Sequence, residues 1–212
     1  REITGSDKRA PEQRVTVLAH GDGGWAHLVR LLTGLHINKG EGSTRITLEL
    51  LEKFSAHSTH LHLLHGPQSP LSYELAAHHP ERALDLFNLT REFFADHAVE
   101  CVSHLVAGNG PGSTSHAARS LVFARDHDID AVITNAVRMR SRSDGPIADL
   151  LDCARQLVPL DYRHIERRNA EGYLKNSQEM TLVATEIARA AGEATPRALL
   201  KTTREWAERA LL

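Results

Sequence analysis

The sequence predicts an α/β fold with parallel strands, because short apolar segments alternate with longer amphipathic ones along the 212 residues. Glycine and proline mark several of the breaks between segments. Helical segments fall between successive strands, which favours parallel pairing. Four short segments have the composition of strands: Val15–Ala19, His60–Leu64, Val99–Ser103 and Ala131–Thr134.

Apolar residues at helical spacing predict the helices of the first half. Gly21–Gly24 predicts a turn, and the following helix, Trp25–Leu35, carries leucines 28, 31, 32 and 35 on one face. Pro80 suits the first turn of a helix whose Leu86, Phe87, Phe93 and Phe94 face inward. The remaining predicted helices up to the third strand are Thr47–Phe54, Ser69–His78 and Glu81–Phe94.

Capping residues and apolar stripes define the helices of the second half. Ser113 or Thr114 caps a helix that runs to about Arg125, after the loop Gly108–Gly112. Pro146 opens a helix to Leu157, and Ser177 caps another. Thr195 caps a last helix with Pro196 at its first position. The predicted stripes are Ile147, Leu150, Leu151 and Ala154 in the first of these, and Met180, Val183, Ala184, Ile187 and Ala188 in the second.

Composition limits the classes of function. The chain has 25 basic and 27 acidic residues, a net charge of −2, so it is expected to bind DNA weakly if at all. No apolar run approaches the ~20 residues that span a bilayer, and no membrane partner is expected. Cys101 and Cys153 predict two buried free thiols in a reducing cytoplasm, with a single disulfide as the alternative.

The fourteen histidines direct attention to metal sites. His60 and His62 lie on the same face of a predicted strand, as in a His-x-His metal motif, but no second partner or bridging carboxylate follows in register. A half-exposed strand that carries imidazoles is the other interpretation. His104 follows the strand ending in Ser103, and a partly buried structural histidine is its simpler interpretation.

Glycine-rich and basic segments are further candidates. His20–Gly24 and Gly108–Ser115 each precede a helix, where phosphates can bind, although tight turns explain both. Arg138–Arg142 and Arg163–Arg168 are basic clusters that face DNA, a neighbouring domain or only solvent.

Four segments together resemble one family. Thr134-Asn135-Ala136-Val137-Arg138 resembles the Thr-Asn-Asp-Val-His motif of the PHP (polymerase and histidinol phosphatase) domain, which opens the alpha subunits of bacterial C-family DNA polymerases. Val17–Leu28 resembles that family's strand followed by a Gly-aromatic-x-x-Leu helix. Ile147–Arg155 and Glu171–Met180 resemble the helix and the exit segment that follow the Thr-Asn strand, and the similarity is greatest to the error-prone branch.

The resemblance implies a partial, distorted β/α (TIM-like) barrel with C-terminal helices. It covers about Val15 to Gly192, so residues 1–192 are expected to form a PHP-like domain and residues 193–212 a helix leading toward the next domain. The family's first strands, with their His-x-His and Asp-His motifs, are expected upstream of Arg1 in a longer parent chain. Val15–Ala19 would then be an unpaired strand edge, and self-association of this piece is expected through that edge and through the apolar faces of helices 180–191 and 199–211.

The resemblance also implies that the metal chemistry has been lost. Ala136 and Arg138 stand where the family has an aspartate and a histidine, so both are degenerate ligand positions, and His104, His60 and His62 are weak candidates for remaining ligands. The expected role is therefore a non-catalytic, structural part of an error-prone DNA polymerase III alpha subunit in the cytoplasm. No cofactor is expected here, while the parent uses magnesium, binds DNA and contacts this piece through its other domains. The alternative is a metal-dependent phosphoesterase or 3′–5′ exonuclease.

Overall fold

A computed structural model describes residues 13–37, 46–55, 58–165 and 167–210. The fold is α/β, as predicted, with four strands in the order β1-β2-β3-β4. Strands β2, β3 and β4 run parallel, whereas β1 is antiparallel to β2. The prediction of an all-parallel sheet was therefore wrong for β1. The strands are Thr16–Ala19 (β1), Ser58–His65 (β2), Phe94–Cys101 (β3) and Asp130–Ile133 (β4).

Eight α-helices and two short 3-10 turns surround this sheet within the described ranges. The turns are Arg142–Asp144 and Tyr162–His164. The α-helices are Gly21–Ile37 (α1), Leu48–Ser55 (α2), Pro70–Ala76 (α3), Pro80–Arg91 (α4), Thr114–Asp126 (α5), Gly145–Gln156 (α6), Ser177–Ala190 (α7) and Arg197–Arg209 (α8). No helix within these ranges has both the length and the apolar character needed to cross a membrane.

The segment Gly21–Gly24 was predicted as a turn but forms the first turn of α1. Gly24 is needed there because a Cβ at that position would collide with the backbone oxygen of His60 on β2. The glycines thus allow a helix to approach the sheet closely. On the same helix, Leu31 and Leu35 are buried as predicted, while Leu32 is 46% exposed.

The boundary between α4 and β3 differs most from the prediction. The helix ends at Arg91, and Phe94, predicted as helical, is the first residue of a strand that ends at Cys101 rather than Ser103. Phe93 and Phe94 are buried as predicted, but against Leu61 and neighbouring apolar side chains of the α1–α2 region. Phe93 and Phe94 would be buried at the end of a helix as well as at the start of a strand. Their apolar character alone therefore could not locate the boundary.

Helix starts shift by one residue in two places. Asn176, not Ser177, caps α7, and its side chain accepts a hydrogen bond from the Glu179 backbone N–H while Glu179 bonds back to Asn176. Pro196 occupies the capping position of α8, so Thr195 is not the cap. Ser113 caps α5, which was one of the two predicted choices.

Alternate residues of the strands face two different layers. One face carries Val99, Cys101 and Ile133 and packs against α3, α4, α5 and α7 in the largest apolar cluster. The opposite face carries Leu64, Ala98 and Val132 and packs against Trp206 of α8. The apolar faces of α7 and α8 are thus buried within the chain itself, and the expectation that they pack on neighbouring molecules was wrong.

Helix α8 holds the outer side of β4. The hydroxyl of Thr203 accepts a hydrogen bond from the backbone N–H of Ile133 at 2.9 Å. The indole Nε1–H of Trp206 donates to Asp130 Oδ2 at 2.7 Å, and Trp206 itself is 3% exposed. The helix therefore satisfies a backbone donor that a further strand would otherwise take.

Candidate functional site at the carboxyl ends of the parallel strands

The carboxyl ends of β2, β3 and β4 meet at one edge of the sheet, where α/β proteins place ligands. Three segments leave the sheet there, beginning at Gly66, Val102 and Thr134. A fourth, residues 169–175, returns to the same edge and pairs through Tyr173 with Met139. This edge contains the sequence-predicted positions Ala136, Arg138 and His104.

A buried carboxyl group lies at the centre of the edge. The hydroxyl of Thr134, at the end of β4, donates a short hydrogen bond to Glu100 Oε1 on β3. Burial raises the pKa of Glu100 above its ordinary value, and the Thr134 hydrogen bond opposes that shift. Gly66 follows β2 at this point because a Cβ there would collide with Glu100 Oε2. The carboxyl group is thus enclosed by the ends of three strands.

Asn135 joins this edge to the returning segment. It is 4% exposed, and its Nδ2 donates to the backbone oxygens of Glu171 at 2.8 Å and Tyr173 at 2.6 Å. Its Oδ1 accepts from Lys175 Nζ at 3.2 Å. Every polar atom of the side chain is therefore engaged with residues 171–175, so Asn135 acts as a cross-link between two loops.

Lys175 is a buried cation in the same network. Its side chain is 4% exposed and its Nζ lies 3.2 Å from Glu171 Oε2 and 4.4 Å from the centre of the Tyr173 ring. Arg142 approaches the other oxygen of Glu171 at 2.7 Å, so one carboxylate pairs with two cations. A buried lysine with a carboxylate partner and hydrogen bonds is compatible with a structural role.

Ala136 and Arg138, which the sequence predicts to be degenerate ligand positions, are both exposed. Ala136 has a φ of +39°, in the left-handed region, and its backbone N–H donates to the Thr134 hydroxyl at 3.2 Å. Arg138 directs its guanidinium to Asp152 of α6 at 2.7 Å, and its backbone N–H bonds to the oxygen of Gly172. Arg138 thus ties the Thr-Asn loop to α6.

His104 supports the loop from the other side. Its Nε2–H donates to the backbone oxygen of Asn135 at 2.8 Å, which defines the protonated ring nitrogen. Asn169 in turn donates to the His104 backbone oxygen at 2.6 Å. The predicted remaining ligand is therefore a partly buried histidine that positions Asn135.

His60 and His62 lie at the opposite end of the sheet, near the start of β2. The His62 ring is 4% exposed and its Nδ1 lies 2.9 Å from Asp96 Oδ2, although the contact lacks the angle of a directed hydrogen bond. Burial lowers the pKa of His62, and Asp96 partly opposes that shift. The ring of His20 lies 5.9 Å from that of His62 and 6.4 Å from that of His60.

Sequence reasoning missed both Asp96 and His20 as neighbours of this histidine pair. Asp96 belongs to the first part of β3, which the sequence did not predict as strand, and His20 is brought in by antiparallel pairing of β1. Across residues 13–37, 46–55, 58–165 and 167–210, no three histidine, cysteine or acidic side chains are grouped so as to hold a metal ion.

The two basic clusters meet at the amino-terminal end of α6. Arg167 donates to the backbone oxygen of Gly145 at 2.5 Å and contacts Asp149 Oδ1 at 2.5 Å. Arg163 pairs with Asp161 at 3.0 Å. Four arginines of the two clusters, 138, 142, 163 and 167, therefore pair with carboxylates of the chain itself. The glycine-rich loop Gly108–Gly112 forms the turn that precedes Ser113 at the start of α5.

No model of a protein family matches the chain, and no curated protein matches it.

Proposed function

We propose that the chain is a PHP-type domain of a cytoplasmic, error-prone DNA polymerase III alpha subunit, in which it has a structural and non-catalytic role. The parent would synthesise DNA with magnesium held by another domain and would contact DNA mainly outside this one. The domain would support the neighbouring domains of the polymerase. The proposal begins from the four sequence segments that resemble the family and gains support from the carboxyl edge of the sheet.

The observation that carries the proposal is how the Thr134–Arg138 segment uses its polar groups. Thr134 bonds to Glu100, Asn135 bonds to the backbone of residues 171 and 173, and Arg138 pairs with Asp152. A catalytic edge keeps donors and acceptors directed toward a substrate. Here the same groups connect two loops and a helix, which favours a structural role for the segment.

The residues at this edge do not fit the metal centre of active, metal-dependent PHP domains. Ala136 has no donor atom, and Arg138 brings a permanent positive charge that already pairs with Asp152. His104 uses its Nε2 proton on the backbone of the loop. We therefore derive no catalytic step through a metal at this position.

A distorted β/α barrel is the finer fold that we propose for the complete domain. Support comes from three adjacent parallel strands whose one face is covered by helices, as on the outside of such a barrel. The opposite face, with Leu64, Ala98 and Val132, would belong to the barrel interior, where Trp206 now packs.

The first test separates a structural role from a catalytic one in the complete gene product. We expect a protein much longer than 212 residues that extends a primed template in the presence of magnesium. The variant Asn135→Ala should show the same initial rate at low temperature but lose activity at lower temperatures than wild type. A gene product without polymerase activity, or a variant whose initial rate falls although it remains folded, would contradict the proposal.

The second test addresses the alternative enzyme class directly. The purified chain is incubated with a 3′-labelled oligonucleotide and manganese, and the oligonucleotide should remain intact. Cleavage that disappears in the double variant His60→Ala, His62→Ala would establish a phosphoesterase or exonuclease instead. The variant Asn88→Ala, an exposed position on α4, serves as the preparation control.

A further inference from the structure

Helix α6 presents its apolar face to solvent and its polar face to the protein. The outer face carries Ile147, Leu150 and Leu151, which are 58%, 53% and 64% exposed, together with the exposed Ala154. These positions follow the i, i+3, i+4, i+7 pattern that normally faces a core. The sequence predicted the stripe itself but did not predict that it faces solvent.

The inward face of α6 is held by polar contacts that fix the rotation of the helix. Gly145 and Cys153 are buried on this face, and Asp149 and Asp152 share it at helical spacing. Arg167 contacts Asp149 at 2.5 Å with both side chains about four-fifths buried, since they are 20% and 18% exposed. Rotating α6 to bury its leucines would leave the largely buried Arg167 without its carboxylate partner.

The exposed apolar area is large enough for an interface. Directly after the helix, Leu157, Leu160 and Tyr162 are 94%, 57% and 83% exposed. Counted as whole residues, these three and the helix stripe together expose roughly 700 Å², close to the ~800 Å² that each partner buries in a standard interface.

We propose that α6 pairs with α6 of a second copy of this chain, as an antiparallel helix pair around a two-fold axis. An axis between Leu150 and Leu151 places these two leucines against each other across the interface. The same register sets Ile147 opposite Ala154 of the second copy, so that a large side chain meets a small one on both sides. Because the stripe is complementary to an antiparallel copy of itself, we favour a second copy of the chain over an unrelated partner.

Charge along the helix agrees with the same register. Arg155 lies on the helical flank next to the stripe, and Asp144, the residue immediately before the helix, lies near that same flank. Its Oδ2 accepts a hydrogen bond from the Ser141 backbone N–H at 2.8 Å, which holds the carboxylate in place. In an antiparallel pair these flanks face each other, so Arg155 of each copy approaches Asp144 of the other. The ends of the interface are therefore complementary in charge, and a parallel arrangement would lack this pairing. The inference depends only on α6 and not on the polymerase assignment.

Sedimentation velocity of the 212-residue chain between 1 and 100 μM tests the pairing. We expect wild type to shift from monomer to dimer with concentration, and the double variant Leu150→Glu, Leu151→Glu to stay monomeric with an unchanged circular dichroism spectrum. The matched control is Leu182→Glu, because Leu182 is an equally exposed leucine on α7 (68%), and this variant should dimerise like wild type. Monomeric wild type at 100 μM, or a double variant that still dimerises, would overturn the proposal.

Cysteine cross-linking tests the antiparallel register. Positions 147 are about 10 Å apart along the axis in the antiparallel pair, at ~1.5 Å per residue, so Ile147→Cys alone should not form a disulfide-linked dimer. A mixture of Ile147→Cys and Ala154→Cys chains should cross-link under mild oxidation. The native Cys101 and Cys153 are buried and leave the background low. Cross-linking of Ile147→Cys with itself, without the mixed product, would contradict the antiparallel register.

Discussion

Mild acid is expected to destabilise the fold through a pair of buried imidazoles on β2 and β3. His65 and His97 are 2% and 8% exposed, and their rings stack at 5.9 Å beside Phe87. The hydroxyl of Thr90 lies 3.3 Å from His65 Nε2 and 3.4 Å from His97 Nδ1. His65 Nδ1 has no hydrogen-bond partner, so the interior offers no acceptor for a second ring proton.

The size of the effect follows from the shift in proton affinity. Burial, aided by the neighbouring His97, lowers the pKa of His65 from 6.5 to about 3. Below pH 6.5 the unfolded chain binds a proton at His65 that the folded protein does not, so stability falls with falling pH down to about 3. At pH 5.0 the loss from this one group is about 2 kcal/mol, against less than about 0.1 kcal/mol at pH 7.5. Burial lowers the pKa of His97 and of His116 as well, and both add loss of the same sign.

Urea unfolding at pH 7.5, 6.5 and 5.0, followed by circular dichroism, measures this loss. The variant His65→Phe keeps an aromatic ring but cannot bind a proton, so between pH 7.5 and 5.0 it should lose about 2 kcal/mol less stability than wild type. His36→Phe, at an exposed position near the end of α1, should keep the wild-type dependence on pH. Parallel losses in wild type and His65→Phe would refute the reasoning, because another group would then control acid unfolding.

Three further substitutions test single contacts by thermal unfolding, in which ~1 kcal/mol corresponds to roughly 2–4 °C. Gly24→Ala should cost about 1–3 kcal/mol because the new methyl group collides with a β2 carbonyl, and an unchanged melting temperature would show that α1 can shift away. Asn135→Ala should cost about 1–3 kcal/mol because it leaves buried backbone oxygens without donors. Asn88→Ala, at an exposed position of α4, should be near neutral, and equal effects of the two substitutions would argue against the cross-link. Trp206→Phe keeps an aromatic ring but loses the bond to Asp130 and part of the buried indole, so a loss of about 1–3 kcal/mol is expected. A loss as large as that of Trp206→Ala would contradict a packing role for the ring that remains.

Periodicity predicted where most helices and strands lie, because the apolar face of each element is formed by residues only a few positions apart in the sequence. The stripe of α7 is an example, with Val183, Ala184, Ile187 and Ala188 all buried. It failed between α4 and β3, where consecutive phenylalanines are apolar in either structure and only the position of the sheet decides between them. Periodicity also predicted the apolar stripe of α6 but not that the stripe faces solvent, because the orientation of the helix depends on Arg167, which lies outside the helix.

The candidate edge was predictable in position but not in its contacts. The run of apolar residues ending in Thr134-Asn135 predicted a strand end with polar side chains, and β4 ends there. The partners of Asn135 lie 36 to 40 residues further along the chain, and no local pattern marks them. Asp96 was hidden for the same reason, since its relation to His62 depends on the register between β2 and β3.

The attachment of α8 to β4 has a consequence for proteolysis and aggregation. The Thr203 hydroxyl and the Trp206 ring cover the outer side of β4, whose amide groups could otherwise bond to another polypeptide. A protease that cuts in the turn at residues 192–196, just before α8, would release this helix and leave the sheet uncut. The nicked protein would then expose a hydrogen-bonding edge beside an uncovered apolar face, and such surfaces recruit strands from other molecules. Loss of the last 16 to 20 residues is therefore expected to produce precipitation rather than a smaller soluble domain.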